Sequence, residues 1–275
     1  MSELGEGDGH PAAELTAPNP APDGAAAPTP ALRLVEVTRR FGGVTAVSQV
    51  TLDVAPGARH GIIGPNGAGK TTLFNVISGE LGASEGRIDL FGKDITKMSP
   101  RHRVEMGLGR TYQITRTFAT LTVRENLMLA VNGLNKAKFS MLRSWKSYRV
   151  QADDVEELAE RFDLKDRLNN LASDLSHGEL RQLEVALAIA LKPRLLLLDE
   201  PGAGLSPGER VGMRTLLKRL PEDLTLVMIE HDMELIRDVV ESIHVLHFGK
   251  VVAVGATAAI QADERVRDIY LGSGG

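Results

Sequence analysis

A chain of 275 residues, 43% of them hydrophobic, holds enough apolar material for one large domain or two small ones. Its formal net charge of −4 gives no sign of a general nucleic-acid binder, and the absence of cysteine excludes a disulfide framework and cysteine metal sites. The apolar run from Val185 to Leu191 is far too short to span a bilayer, so any membrane role is expected to be peripheral.

Residues 1–31 stand apart. They are rich in Ala, Pro and Gly and carry Glu3, Glu6, Asp8, Glu14 and Asp23 without any Lys or Arg. A secretory signal needs a basic start and an apolar core, and this segment has neither. It reads as a disordered tail, because it cannot bury enough surface to offset its ordering entropy. From Leu32 the chain becomes patterned. "LRLVEV", "VTAVSQVTLDV" and "GRIDLF" alternate like half-buried strands. "ARHGIIG" is a short apolar strand that ends in glycine.

Directly after it comes "GPNGAGKTT", formed by Gly64, Pro65, Asn66, Gly67, Ala68, Gly69, Lys70, Thr71 and Thr72. This is the G-x-x-x-x-G-K-[ST] phosphate loop in its proper context, with a strand before it and a helix after it. Its glycines let backbone amides curl around phosphate oxygens, and the helix N-terminus adds partial positive charge. Lys70 is expected to reach the β and γ phosphates of ATP, and Thr71 to bind Mg²⁺.

Further along, the segment around 116–171 is more helical and polar. "LSHGELRQLEVALAIAL" then begins a helix, with Ser176 and Glu179 at capping-box spacing. Gly178 in its first turn is a poor helix former and implies that something approaches the backbone closely there. "RLLLLDE" and "LTLVMIE" read as buried parallel strands with acids at their C-terminal ends. Asp199 is placed to hold the metal and Glu200 to polarise an attacking water. His231 follows the second of these strands, at the carboxyl edge where α/β sheets bind ligands, and is expected at the γ-phosphate. Ser206, Pro207 and Glu209 form another capped helix start. The closing "IHVLHFGKVVAVG" reads as a hairpin around Phe248-Gly249-Lys250. The expected fold is a three-layer α/β P-loop core with an antiparallel β subdomain and a helical subdomain at about 114–190, all within 32–272.

In order, Phe41, "GPNGAGKTT", Gln113, "LSHGE", "LLLLDE" and His231 resemble the ATP-binding subunit of an ABC transporter, and the resemblance runs from Leu32 to Gly272. It implies that Phe41 stacks on adenine and that Gln113 links the metal and the attacking water to the membrane subunit. Glu200 would be the catalytic base and His231 the switch histidine. It also implies that two such subunits, identical or different, face head to tail. Ser176, Gly178 and Glu179 would then hold the opposite subunit's ATP. "LSHGE" stands where the family usually has LSGGQ, and Ser206 stands where many relatives have an aspartate.

"GRTYQITRTFATLTVRENLMLA", "IEHDMELI" and "DERVRDIYLG" resemble the ATPases of branched-chain amino acid importers. Importers of urea or short amides share much of this pattern. The resemblance implies permease subunits, a solute-binding protein and the cytoplasmic face of the cell membrane. The other reading, a soluble ABC ATPase acting on DNA or ribosomes, lacks support from a second cassette, sustained heptads or a basic stripe. The stretch from Asn132 to Val150, basic and containing Trp145 and Tyr148, reads as a solvated insert or as a contact with the membrane subunit or lipid.

Overall fold

The computed structural model describes residues 29–111, 117–133 and 145–271; of 145–151, 270 and 271 it describes the backbone alone. Gln113, the expected tail up to residue 28 and residues 134–144 of the basic stretch lie outside the described residues.

The elements run in chain order as β1 (Leu32–Phe41), β2 (Val44–Val54), β3 (Arg59–Ile63), α1 (Lys70–Ser78), β4 (Glu85–Leu90), β5 (Lys93–Asp94), α2 (Pro100–Glu105), β6 (Leu108–Arg110), α3 (Val123–Asn132) and α4 (Trp145–Arg161). After them come α5 (His177–Ala190), β7 (Leu195–Asp199), α6 (Pro207–Lys218), β8 (Thr225–Ile229), α7 (Met233–Val239), β9 (Ser242–His247), β10 (Lys250–Ala256), α8 (Thr257–Ala262) and α9 (Glu264–Leu271).

Two sheets organise them. The first has the order β2-β1-β4-β5 and is antiparallel throughout. Alternation explains it: Leu32 and Leu34 of β1 and Val50, Leu52 and Val54 of β2 point into the core while Arg33, Val35, Thr51 and Asp53 face water. The second has the order β10-β9-β3-β8-β7-β6, parallel from β9 to β6. Its central strands β3, β8 and β7 are covered on both faces, which accounts for their unbroken apolar runs. Along β7, Leu195 and Leu197 join the core shared with α1 and the antiparallel sheet. Leu196 and Leu198 join a separate core under α3, α4, α5, α6 and α7.

The P-loop helix, the capped helices and both acid-ended strands fall where the sequence places them. β9 and β10 form the expected hairpin. Phe248 and Gly249 take φ of 45° and 76°, so a two-residue turn joins His247 to Lys250. Strand β6 has no counterpart in the sequence reading. At three residues, Leu108–Arg110, it is too short for a period and contains a glycine; it exists because it pairs with β7 at the sheet edge. Among the described residues no helix is long and apolar enough to cross a membrane.

Candidate functional site

The loop between β3 and α1 is shaped by contacts that only glycine tolerates. Gly69 has φ of 101°, and a Cβ there would run into the Ala46 carbonyl. Helix α1 therefore begins from a bare backbone, with no side-chain cap on its first amides. Helices α3, α5 and α6, by contrast, all start with closed capping boxes. Uncapped amides at a helix start attract anions. They open into a cleft of about 230 Å³ lined by Ala46, residues 66–72 and Glu200.

Lys70 is buried at the base of this loop. Its Nζ donates to the carbonyls of Gly64 and Pro65 at 2.7 and 3.0 Å. Burial lowers its pKa from the ordinary lysine value, and the charges of Glu200 and Asp199 push the other way. The three side chains thus share one electrostatic environment. Asp199 ends β7 and is 1% exposed. Desolvation raises its carboxyl above the usual range, partly offset by Arg110. Glu200 follows with φ of 50°, a left-handed conformation that its amide, bonded to the Ile229 carbonyl at 2.9 Å, helps to hold.

The Asp199 carboxylate is served on one side only. Oδ2 accepts from Arg110 Nη2 at 3.2 Å, whereas Oδ1 is buried without a hydrogen-bond partner. A buried orphan anionic oxygen costs stability unless a cation completes it. This fits a divalent ion: Thr71 and Asp199 supply the hard oxygen donors that Mg²⁺ takes along with phosphate. Among the described residues there is no cluster of three or more His, Asp or Glu that could hold a metal ion.

Arg110 was not singled out by sequence, although it stands three residues before Gln113 in "RTYQ". Its side chain is 6% exposed and also donates to Ser78 Oγ at 2.7 Å, so it ties the end of α1 to the end of β7. Arg110→Ala is expected to lower the unfolding free energy by roughly 3 kcal/mol, because it leaves a buried carboxylate without its partner. Urea denaturation checks this; a loss under about 1 kcal/mol would show that the pair is dispensable.

His231 stands 59% exposed just past β8, with Nδ1 at 3.3 Å from Glu230 Oε1. Glu230 is fully buried, and nothing in its local sequence sets it apart from other acids at strand ends. Its Oε1 accepts from the amides of His231 and Asp232, and its Oε2 accepts from the Gly202 amide at 2.9 Å. One carboxylate thereby joins the loop after Glu200 to the loop that carries His231. Phe41 closes β1, 43% exposed, with the Arg39 guanidinium over its ring at 4.6 Å. It pairs with Val44, two residues before the Ala46 that walls the cleft.

Ser176, Gly178 and Glu179 are placed differently. They cap α5 reciprocally, Ser176 Oγ accepting from the Glu179 amide and Glu179 Oε2 from the Ser176 amide. Burial pushes the Glu179 carboxyl up, but the Ser176 amide and Arg167 outweigh it and hold it below the usual range. None of the three lines the P-loop cleft. The close approach at Gly178 is made by this same chain. The Gly178 amide donates to Glu209 Oε1 at 3.0 Å, and a Cβ on Gly178 would stand 2.7 Å from that oxygen.

Comparison with known proteins bears on the family and the fold. The family model described as ABC transporter matches residues 47–203. The high-affinity branched-chain amino acid transport ATP-binding protein LivG of Escherichia coli K12 is 36% identical over 250 residues, covering 88% of this chain and 98% of LivG. BraF of Pseudomonas aeruginosa PAO1, of the same description, is 36% identical over 251 residues, again 88% and 98% of the two chains. The lipopolysaccharide export system ATP-binding protein LptB of Haemophilus influenzae is 33% identical, over 82% of this chain and 90% of LptB. In structure the chain resembles the ADP conformation of MJ1267, an ATP-binding cassette of an ABC transporter. There the TM-score is 0.77 at 27% identity, over 88% of this chain and 99% of that one.

Proposed function

The chain belongs to the ABC transporter family, and from that membership we propose that it hydrolyses Mg-ATP to drive a membrane importer of branched-chain or related amino acids. The observation that carries the ATPase part is the cleft itself. It joins uncapped helix amides to Lys70, Thr71 and Glu200, with the half-satisfied Asp199 at the neighbouring strand end. Similarity to LivG and BraF, slightly above that to LptB, favours amino acid import over export.

In this reading the P-loop amides and Lys70 bind the phosphates, and Phe41 offers its exposed ring to adenine. Thr71, Asp199 and, by family resemblance, Gln113 would hold Mg²⁺, which when bound neutralises phosphate charge. Glu200 accepts the proton of the attacking water, its position fixed by the left-handed turn and by the tie from Gly202 to Glu230. His231 meets the γ-phosphate, and Lys70 balances the charge that spreads over it in the transition state.

A P-loop cleft without Ser176 and Gly178 in its lining supports a head-to-tail pair in which each subunit completes the other's site. That pair works peripherally on permease subunits, fed by a solute-binding protein, at the cytoplasmic face of the membrane.

Mixing tests the composite site. Lys70→Ala damages the P-loop half, and Gly178→Asp sets a second carboxylate against phosphate and against Glu209. Each homodimer is expected to be inactive. The mixed dimer contains one site built from two sound halves and is expected to recover turnover. If this chain pairs with a different ATPase chain, one mutation goes on each. Background activity in verified mixed dimers, with one sound site known to suffice, would sink the shared site. Co-purification with permeases from detergent-solubilised membranes tests the transport assignment.

A further inference from the structure

The signature helix α5 presents its first-turn amides already engaged by an anion from within the chain. Glu209, half-buried in the first turn of α6, uses both carboxylate oxygens. Oε2 accepts from the Ser206 amide at 2.9 Å and from Ser206 Oγ at 2.7 Å, closing the capping box of α6. Oε1 reaches across to the Gly178 amide. One carboxylate thus holds two helix N-termini, where partial positive charge favours it. The His177 ring lies over Gly204, 3.2 Å from where a Cβ would stand, and closes the same junction.

We propose that Glu209 is the resident anion of the signature helix and that a facing subunit's γ-phosphate displaces it from Gly178 when the pair closes. This rests on the head-to-tail reading above. Two anions do not share one amide in a dry interface, because their repulsion grows as water leaves. Closure therefore moves Glu209, and the motion has a route. Its other oxygen holds Ser206, which is joined to Glu200 by two backbone turns, Leu205 N to Gly202 O and Ala203 N to Glu200 O. Arrival of nucleotide at α5 is thereby relayed within the receiving subunit to that subunit's own catalytic base. Ser206 has no carboxylate of its own, and Glu209, three residues on, supplies one to this loop. Glu209 is a positioning residue in this scheme.

The test uses the full chain with Glu200→Gln, so that ATP persists. Three forms are compared: that parent, the parent with Glu209→Ala, and the parent with Ser206→Ala. The last weakens the α6 cap and leaves the bond from Gly178 to Glu209 in place. In nucleotide-free protein, exchange of the Gly178 amide, followed by NMR on glycine-labelled chain, is expected to quicken about tenfold with Glu209→Ala and to stay at the parental rate with Ser206→Ala. Dimerisation driven by Mg-ATP, followed by sedimentation, is expected to begin at about tenfold lower protein concentration with Glu209→Ala alone.

Unchanged exchange at Gly178 overturns the proposal. So does a dimerisation threshold that stays put, rises, or falls equally with Ser206→Ala, which would make Glu209 a cap and nothing more. If the parent dimerises with Mg-ATP neither alone nor with a partner ATPase chain, the head-to-tail reading fails and displacement by phosphate fails with it. The exchange data then still decide whether Glu209 locks α5 to α6.

Discussion

Replacing Lys70 with alanine is expected to reduce ATP turnover about 10³-fold while leaving the fold intact. Its Nζ is held in place before any chemistry by two loop carbonyls, and it lies in the field of Asp199 and Glu200. A cation fixed in a desolvated site stabilises developing negative charge far more than one in water, and losing a single such group costs about 10²–10³ in rate. Binding falls as well, because the phosphates lose their nearest fixed positive charge. Lys70→Arg is not expected to rescue. The site is 7% exposed, and the branched guanidinium has neither the room nor the point-charge geometry of the ammonium. Phosphate release with saturating Mg-ATP measures this, alongside circular dichroism. A folded Lys70→Ala chain with turnover within tenfold of the parent would remove Lys70 from the chemistry.

The second large effect concerns pH. His60 of β3 and His244 of β9 form a buried line with Ser242. His60 Nδ1 lies 2.7 Å from Ser242 Oγ, and His60 Nε2 lies 2.6 Å from His244 Nδ1. Burial, then the charge of His244, lowers the His60 pKa to about 3; burial lowers that of His244 to about 4. Both rings are therefore neutral in the folded protein, whereas in the unfolded chain they protonate near 6.5. Below that pH the unfolded state binds more protons, so stability falls as pH drops toward 4. Each histidine contributes up to about 1.4 kcal/mol per pH unit in that window. Urea unfolding between pH 7 and 4.5 is expected to show a clearly steeper loss for the parent than for a His60→Leu, His244→Leu double variant. The upper part of the window lies above the range where carboxylates titrate, which isolates the rings. Parallel curves would show that the pair stays neutral in both states or is protonated in both.

What the sequence made legible, and what it hid, divides by distance along the chain. The phosphate loop is contiguous, so its residue types and spacing carry its geometry. The same holds for the capping boxes at Ser176 and Ser206, whose partners lie three residues on. The second oxygen of Glu209 was hidden because its donor lies 31 residues upstream, and a local pattern reports only local partners. Arg110 was hidden for the same reason: its partner Asp199 is 89 positions away, and the strand that aims it is too short to show a period. Glu230 resembled any acid at a strand end; only burial on every side and the tie to Gly202 set it apart. Glycine at 178 implies a close approach without naming its source, because Glu209, which makes that approach within the chain, lies outside any local pattern.

The alternation along β7 carries a mechanical consequence. Leu195 and Leu197 belong to one core and Leu196 and Leu198 to the other, so the central sheet is a partition with a separate packed interior on each side. The P-loop helix is seated in one interior and the signature helix in the other. Close-packed interiors transmit strain, and one hydrogen-bonded wall serves both of them, so displacing a leucine on the helical side is felt at the strand end that carries Asp199.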